Sequence, residues 1–419
     1  MLSGTAYRGQ PSIVVVISTE PLYVNSLFSS TFFVAAFVLA AFLLAACEDP
    51  SNVGIGLVGD EGGNPVVHRV APFDLREQEL GRTLSTSRRI LVGRVDDPLL
   101  GLIEVDAYVD FASASSSDFR SGTIQSAELR FLPDYVYGDT TSIIRAAVRQ
   151  IQSSWSPVGL PADTSFSVGP VLTEFSYHPS DTLTIVPLPQ DWIATNDALL
   201  RSSSFAAEFH GFQIEPVDGN AVVGFGFGSS SIRVTTEADS ASFASSVVYL
   251  AGRRQGDPVL PQNRILLQAS AGPAAAFSFT IDAEDLPPSA INRAVIAFTA
   301  DTLALSQNLP SSFIRPQITA LDLFGVSPDG SIAFLARSEL RDGRFIFDSP
   351  FLAGVFQDVQ FGERSFVRYE LRVPAPISVT DPSSPLRLLS SSVNALVLFN
   401  SDAGAEAPAG SITITPLDE

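Results

Sequence analysis

Lysine is missing from this chain of 419 residues. All of its 25 basic residues are arginine, against 45 acidic ones, and the formal net charge is −20. Without a basic face nothing neutralises a phosphate backbone, so nucleic acid is not an expected partner. Cysteine occurs once, which excludes an internal disulfide framework. With only three histidines, at positions 68, 178 and 210, there is no Cys/His spacing for a zinc site. No G-x-S-x-G elbow, H-E-x-x-H helix or phosphate-binding loop is present, and no enzymatic activity is expected. Forty-five acidic residues still leave a pair of carboxylates for glycoside cleavage open as an alternative. What is plentiful is apolar: 45% hydrophobic residues, including 30 phenylalanines, place the chain among folded proteins rather than disordered ones. The length leaves room for two or three domains.

Charge is also missing locally. Between Glu20 and Glu48 there is none, and Phe32 to Ala46 is an unbroken apolar run of 15 residues. That suits the apolar region of a secretory leader and is short for a spanning helix, which needs about 20 residues. The run closes in Leu44-Ala45-Ala46-Cys47, which resembles a bacterial lipobox. Small residues admit the peptide to the signal peptidase, and the thiol of Cys47 takes the lipid. The sole cysteine of the chain stands at the position that needs one. Arg8 is the only basic residue ahead of the run. An uncleaved anchor is the alternative, since the uncharged stretch from Leu27 to Cys47 reaches 21 residues. The expected mature protein is held on a membrane by lipidated Cys47. Glu48 and Asp49 follow as a possible sorting signal, and a Gly-, Asp- and Asn-rich tether runs on from there. The expected location is the bacterial outer membrane, with exposure at the cell surface as one possibility.

Beyond the tether the apolar period is two. Glu104 to Phe111 alternates, with Tyr108 on the polar side, and so does Ala127 to Phe131. Phe205 to Phe209 alternates in the same way. Phe212 and Ile214 then change phase across Gly211, which reads as a bulge, and Asp218-Gly219 reads as a hairpin turn into Val222 to Phe227. Ile318 to Val326, Ile332 to Ala336 and Phe345 to Phe347 read as a meander. Asp191 to Leu200 is the one expected helix, capped by Asp191. The pattern I-x-x-A-x-[LI]-x-F-x-x-D occurs at Ile124–Asp134 and again at Ile291–Asp301, 167 residues later. The expected fold is all-β: two tandem antiparallel β-sandwich domains of jelly-roll type after a lipoprotein signal peptide. The expected boundaries are 1–46 for the signal peptide, 47–65 for the lipidated Cys and acidic tether, 66–250 for the first sandwich, 251–264 for a linker and 265–419 for the second sandwich.

Ile55-Gly56-Leu57, and then Leu91-Val92-Gly93-Arg94-Val95-Asp96-Asp97-Pro98-Leu99-Leu100-Gly101, resemble the opening of the Bacteroidetes lipoproteins grouped as domain of unknown function number 4270. The I-x-x-A-x-L-x-F strand continues the likeness. Gly122 to Trp155 is similar, more weakly, to jelly-roll modules of secreted polysaccharide enzymes. The first resemblance implies a location and a fold and carries no catalytic residue.

Two groups of residues are candidates for binding. Glu104, Asp106, Tyr108 and Asp110 occupy one face of one strand, where side chains two apart stand roughly 6.6–7 Å from each other. That face suits a sugar or Ca²⁺, which takes six or more oxygens. Solvation opposite arginines is its plain alternative. Trp155 and Trp192, with Tyr135, Tyr137 and Tyr177, have the chemistry of a glycan platform, because apolar sugar faces pack on aromatic rings. The turn Asp96-Asp97-Pro98 suits a structural bend, with a metal site as the alternative. Function is expected to be non-catalytic, binding or structural at the outer membrane through a glycan or an envelope protein, with a carbohydrate-binding surface module as the alternative.

Overall fold

The structure is a computed structural model. It describes residues 64–70, 72–78, 85–114, 121–155, 166–270, 274–278, 289–307, 309–374 and 391–416, all within one compact unit, Gly63–Glu419. The expected leader, Leu44, Ala45, Ala46, Cys47, Glu48 and Asp49 lie outside the described residues.

The chain begins with β1 (Val66–Arg69) and β2 (Phe73–Gln78). A first half follows: β3 (Ser85–Thr86), β4 (Arg89–Asp97), β5 (Gly101–Phe111), β6 (Ile124–Phe131), β7 (Pro133–Asp139), β8 (Ile144–Ile151), β9 (Val168–Tyr177) and β10 (Thr184–Pro187). It continues through helices α1 (Gln190–Leu200) and α2 (Phe205–Glu208) to β11 (Phe212–Asp218), β12 (Ala221–Gly226), β13 (Ser231–Thr236) and β14 (Ser240–Gln255). The second half comprises β15 (Arg264–Gln268), β16 (Ala274–Ser278), β17 (Ser289–Thr299), β18 (Phe313–Ile314), β19 (Ala320–Val326), β20 (Ile332–Arg341), β21 (Arg344–Asp348) and helix α3 (Pro350–Gln360). It ends with β22 (Arg368–Arg372), β23 (Ala395–Phe399) and β24 (Ala409–Pro416). Strand makes up 56% of the described residues and helix 10%, so the protein is all-β, built as antiparallel sandwich. Of the residues expected to link two domains, 251–255 continue β14, and the next strand starts at Arg264.

One pairing scheme occurs twice. In the first half β4 pairs β12, β5 pairs β11, β6 pairs β13 and β10, and β8 pairs β9 and β11. In the second half β15 pairs β23, β16 pairs β22, β17 pairs β24 and β21, and β19 pairs β20 and β22. The order along the chain is the same, and a helix of 11 residues stands between β10 and β11 as between β21 and β22. The repeated sequence pattern sits on equivalent strands, β6 and β17. Its odd spacing has a physical cause. The register shifts between Ser126 and Ile124 opposite β13, and between Ile291 and Arg293 opposite β24. Each strand therefore carries one extra residue, Gln125 or Asn292, as a bulge. The bulge restores the phase, so Ile124, Ala127, Leu129 and Phe131 all face a core, as do Ile291, Ala294, Ile296 and Phe298. The closing aspartates repeat too. Asp134 accepts from Arg89 Nε at 2.7 Å and Asp301 from Arg264 Nε at 2.8 Å, and each arginine lies over a ring, Tyr135 or Phe399.

Several local expectations are corrected. Phe205 to Glu208 form α2 rather than a strand, with Phe209 as the C-cap. Phe205 and Phe209, one helical turn apart, are buried while Ala207 is exposed, so the alternation was coincidental. Helix α1 starts one residue before Asp191, with Pro189 at the N-cap, and Asp191 lies in the first turn, where its charge suits the helix dipole. β11 and β12 make no hairpin across Asp218-Gly219, because β11 pairs β5 and β8 while β12 pairs β4 and β7. The bulge in β11 lies between Pro216 and Asp218 rather than at Gly211. The meander β19–β20–β21 is as expected, with Asp342 and Gly343 both at positive φ in its second turn.

There are two hydrophobic cores, and the ribbon β15–β23 serves both. Leu266, Ala395 and Val397 belong to the first, and Ile265, Leu267, Leu396 and Leu398 to the second. A buried polar cluster adds to this. Arg315, from the second half, places Nη2 at 2.6 Å from Asp97 Oδ1 and Nε at 3.1 Å from Oδ2; its side chain is 2% exposed and that of Asp97 0%. Tyr137 donates to Asp97 Oδ2 at 2.6 Å, Arg315 also donates to the Leu305 carbonyl, and the Leu99 and Leu100 amides donate to Asp97 Oδ1. Burial, and then the Asp97 charge, push the Tyr137 hydroxyl far above its ordinary pKa. The expected bend at Asp96-Asp97-Pro98 is thus a turn held by a saturated, buried carboxylate.

Candidate functional site

The strand β5 has the two faces that its alternation predicts. Ile103, Val105, Ala107, Val109 and Phe111 are buried, while Glu104, Asp106, Tyr108 and Asp110 point outward and are half-buried. Neighbours in the sheet come from β14 on one side and from β4 and β11 on the other. Glu104 faces Arg253 and Arg94, Asp106 faces Ala251, Tyr108 faces Tyr249 on one side and Gln213 on the other, and Asp110 faces Val247.

Glu104 is held. Its Oε2 accepts from Arg253 Nε at 2.9 Å and from Gln255 Nε2 at 3.2 Å. The bond to Glu104, with the charges of Glu104, Asp106 and Tyr108 adding to it, holds the Arg253 guanidinium firmly protonated. Gln213 Nε2 donates to the Tyr108 hydroxyl at 3.4 Å. Asp110 Oδ1 accepts from the Phe111 amide at 2.8 Å. Burial pushes the Asp110 carboxyl up to about 6, partly offset by that hydrogen bond. A carboxyl with that value titrates in the range where a proton donor or a neutral sugar contact operates.

Trp155 joins this face. Its ring centroid lies 4.8 Å from that of Tyr249 and 5.5 Å from that of Phe166, and Phe166 lies 4.5 Å from Tyr108. Trp155 Nε1 donates to the His210 carbonyl at 2.6 Å. Next to His210, Gly211 has φ +85, and a Cβ there would stand 2.1 Å from the Val109 carbonyl oxygen, so this turn packs directly against the backbone of β5. The result is a half-exposed ledge of Tyr108, Trp155 and Phe166 over buried Tyr249, beside Asp106 and Asp110. Beyond Gln213, Glu215 Oε1 accepts from Arg149 Nε at 2.7 Å.

The candidates from sequence therefore divide. Trp155 comes to the carboxylate face. Trp192 does not; it is 5% exposed, packs on Phe209 and Phe212 in the first core, and donates to Gln150 Oε1 at 2.9 Å. Its ring offers no free face to a sugar. Tyr137 and Tyr177 are core residues as well, and the Tyr135 hydroxyl donates to Asn394 Oδ1. Among the described residues no three His, Cys, Asp or Glu side chains converge on a cation position, because carboxylates spaced along one strand splay rather than gather. The histidines stay apart: His68 is on β1, His178 Nδ1 bonds Ser180 Oγ, and His210 gives only its carbonyl to Trp155. Phe166, Tyr249 and Gln213 escaped the sequence reading. Nothing local marks them: cross-strand register brings Tyr249 and Gln213 to Tyr108, and Phe166 reaches it from the stretch just before β9.

The second half supplies a contrast. Its equivalent of β5 is β16, and its Ala276 faces Glu370 of β22 as Tyr108 faces Gln213. Ala274 and Ala276 are buried, and Glu370 is enclosed by Arg368 and Arg372. Among the described residues, the strand equivalent to β5 carries no aromatic or acidic outer face.

No family model, no curated protein and no solved structure matches the chain.

Proposed function

We propose that this is a non-catalytic lipoprotein of the bacterial outer membrane, anchored through Cys47, whose first half binds a saccharide on the outer face of β5. One observation carries the binding reading. Trp155, Phe166 and Tyr108 lie beside Asp106 and Asp110 in the first half, while the equivalent strand of the second half has alanines. Rings supply area for the apolar face of a sugar, and carboxylates accept its hydroxyls. The lipobox at Leu44-Ala45-Ala46-Cys47 supports the anchor, and the resemblance to Bacteroidetes lipoproteins is in keeping with it.

The test is affinity electrophoresis of the chain lacking its leader, on gels containing a broad panel of polysaccharides. Retardation by at least one glycan is expected. Trp155→Ala and Asp106→Asn should each weaken it about tenfold, roughly 1.4 kcal/mol, and the Asp106→Asn variant should keep the wild-type circular dichroism spectrum. Flat mobility across the panel overturns the binding reading. Asp110 favours a second reading, since a carboxyl near 6 is a fitting general acid. Release of reducing ends that vanishes in Asp110→Asn would replace binding by cleavage.

A further inference from the structure

The two halves differ in the origin of the strand that runs beside β13 and β5 in the first and beside β24 and β16 in the second. In the first half this is β14. Ala241 to Ala244 pair with β13, the register shifts between Ser245 and Val247, and Val247 to Gln255 pair with β5. One strand thus crosses from one sheet to the other and closes both. In the second half the equivalent places, beside β24 and beside β16, are taken by the N-terminal strands. Val66 to Arg69 pair with Ile414 to Ser411, and β2 pairs with β16 from Phe73↔Ser278 to Gln78↔Ala274. β1 and β2 together take the places that β14 takes in the first half, yet they come from the other end of the chain.

The acceptor is shaped for this segment. The Val70 amide donates to the Gly410 carbonyl at 3.0 Å, and a Cβ on Gly410 would stand 2.2 Å from the Val70 carbonyl oxygen. Leu75 is buried in the second core, and Glu77 Oε1 accepts from the Leu266 amide at 2.9 Å. Without the segment, β24 and β16 present two open edges above a gap at Leu75, a combination that recruits another strand. The segment itself is held mainly by its ladder and by Leu75, because Val66 and Val67 of β1 are 44% and 64% exposed.

We propose that residues 64–78 are a donor strand for the second half, and that the acceptor between β24 and β16 takes this segment from a second copy of the chain, joining neighbouring copies by strand exchange. Donor and acceptor make the same contacts within a chain or between chains, so exchange sacrifices no interface, and an element of this kind is a low-cost route to linked protomers. Crowding of copies raises the effective concentration that favours the exchanged form.

Cysteine pairing tests this directly, since Cys47 is the only native thiol and Cys47→Ser removes it. Val67 and Thr413 face each other across the β1–β24 ladder. Facing residues of an antiparallel pair have Cα atoms about 4.5–5.5 Å apart, within disulfide range. Full chains carrying Val67→Cys are mixed with differently tagged chains carrying Thr413→Cys, incubated and oxidised. Neither chain can link to itself at this ladder. A heterodimer on non-reducing gels is expected, its share rising with protein concentration, and it should be missing when the partner carries Ser331→Cys at an exposed turn instead. A second variant carries Val67→Cys and Thr413→Cys in one chain. If it closes within single chains while the mixture gives no heterodimer, the segment stays in its own chain and the proposal is overturned. If it does not close either, the ladder itself is wrong and the proposal falls with it.

Discussion

Asp110 has an unusual setting for a surface carboxylate. It stands on the outward face of β5, yet burial lifts its pKa from 3.8 to about 6, with the Phe111 amide pulling the other way. A folded-state value above the unfolded one means that the native protein holds this proton more tightly. The contribution of Asp110 to stability is therefore best below 3.8 and is lost as pH rises through about 6, where the buried charge must form. Asp110→Asn removes the ionisation. The variant is expected to match the wild type near pH 4 and to exceed it near pH 7, by on the order of 1 kcal/mol after solvent screening. Thermal melts of both proteins at pH 4, 5, 6 and 7 check this, and a difference that does not grow with pH counts against it. The outward position of Asp110 was legible from alternation alone. Its desolvation was not, because what surrounds Asp110 is brought there only by the folded sheet: Val247 faces it across β14, and the Gly211 turn packs against the Val109–Asp110 backbone.

Among the elements, β6 and β17 show how a short sequence pattern records a backbone event. A regular strand would bury residues two apart, and I-x-x-A breaks that rule by one. The bulges at Gln125 and Asn292 absorb the extra residue. Deleting Asn292 makes the ladder regular and turns either Ile291 or the Ala294–Ile296–Phe298 series away from the core. The expected loss is about 2–3 kcal/mol, the burial of one large aliphatic side chain. Asn292→Ala keeps the bulge and should cost under about 0.5 kcal/mol. Urea unfolding of the two variants measures both, and equal losses would remove the bulge from the account. The pattern itself could be read from sequence; its cause needed the partner strands. The same limit explains two misreadings. Phe205 and Phe209 are compatible with period two or with a helical turn, and burial of Ala207 would have been the deciding fact. Asp218-Gly219 signals a reversal of direction, but which strands then pair is set by the sandwich, which sends β11 and β12 to different neighbours.

For the whole molecule the question is whether two cores unfold as one. Four features couple them. The ribbon β15–β23 buries alternate residues in each core, so neither core can open without stripping one face of it. β18, from the second half, pairs β7 of the first. β1 and β2 precede the first half in sequence and close the second. Arg315 completes the buried carboxylate at Asp97, and removing one partner of such a pair leaves an uncompensated charge that costs about 3–5 kcal/mol. None of these was legible in the sequence, since each joins residues far apart whose local patterns are those of ordinary strands. A tandem sandwich of independent modules would melt in two steps; this connectivity predicts one. Both tryptophans lie in the first half, so their fluorescence reports that half alone, whereas far-UV circular dichroism reports the strands of both. The two probes are expected to give coincident urea transitions with one midpoint. Arg315→Met, though its residue belongs to the second half, should move both probes together to lower urea. If the fluorescence midpoint moves while the dichroism splits into two steps, the cores are energetically separate, and the shared ribbon is a contact between modules rather than the joint of one folding unit.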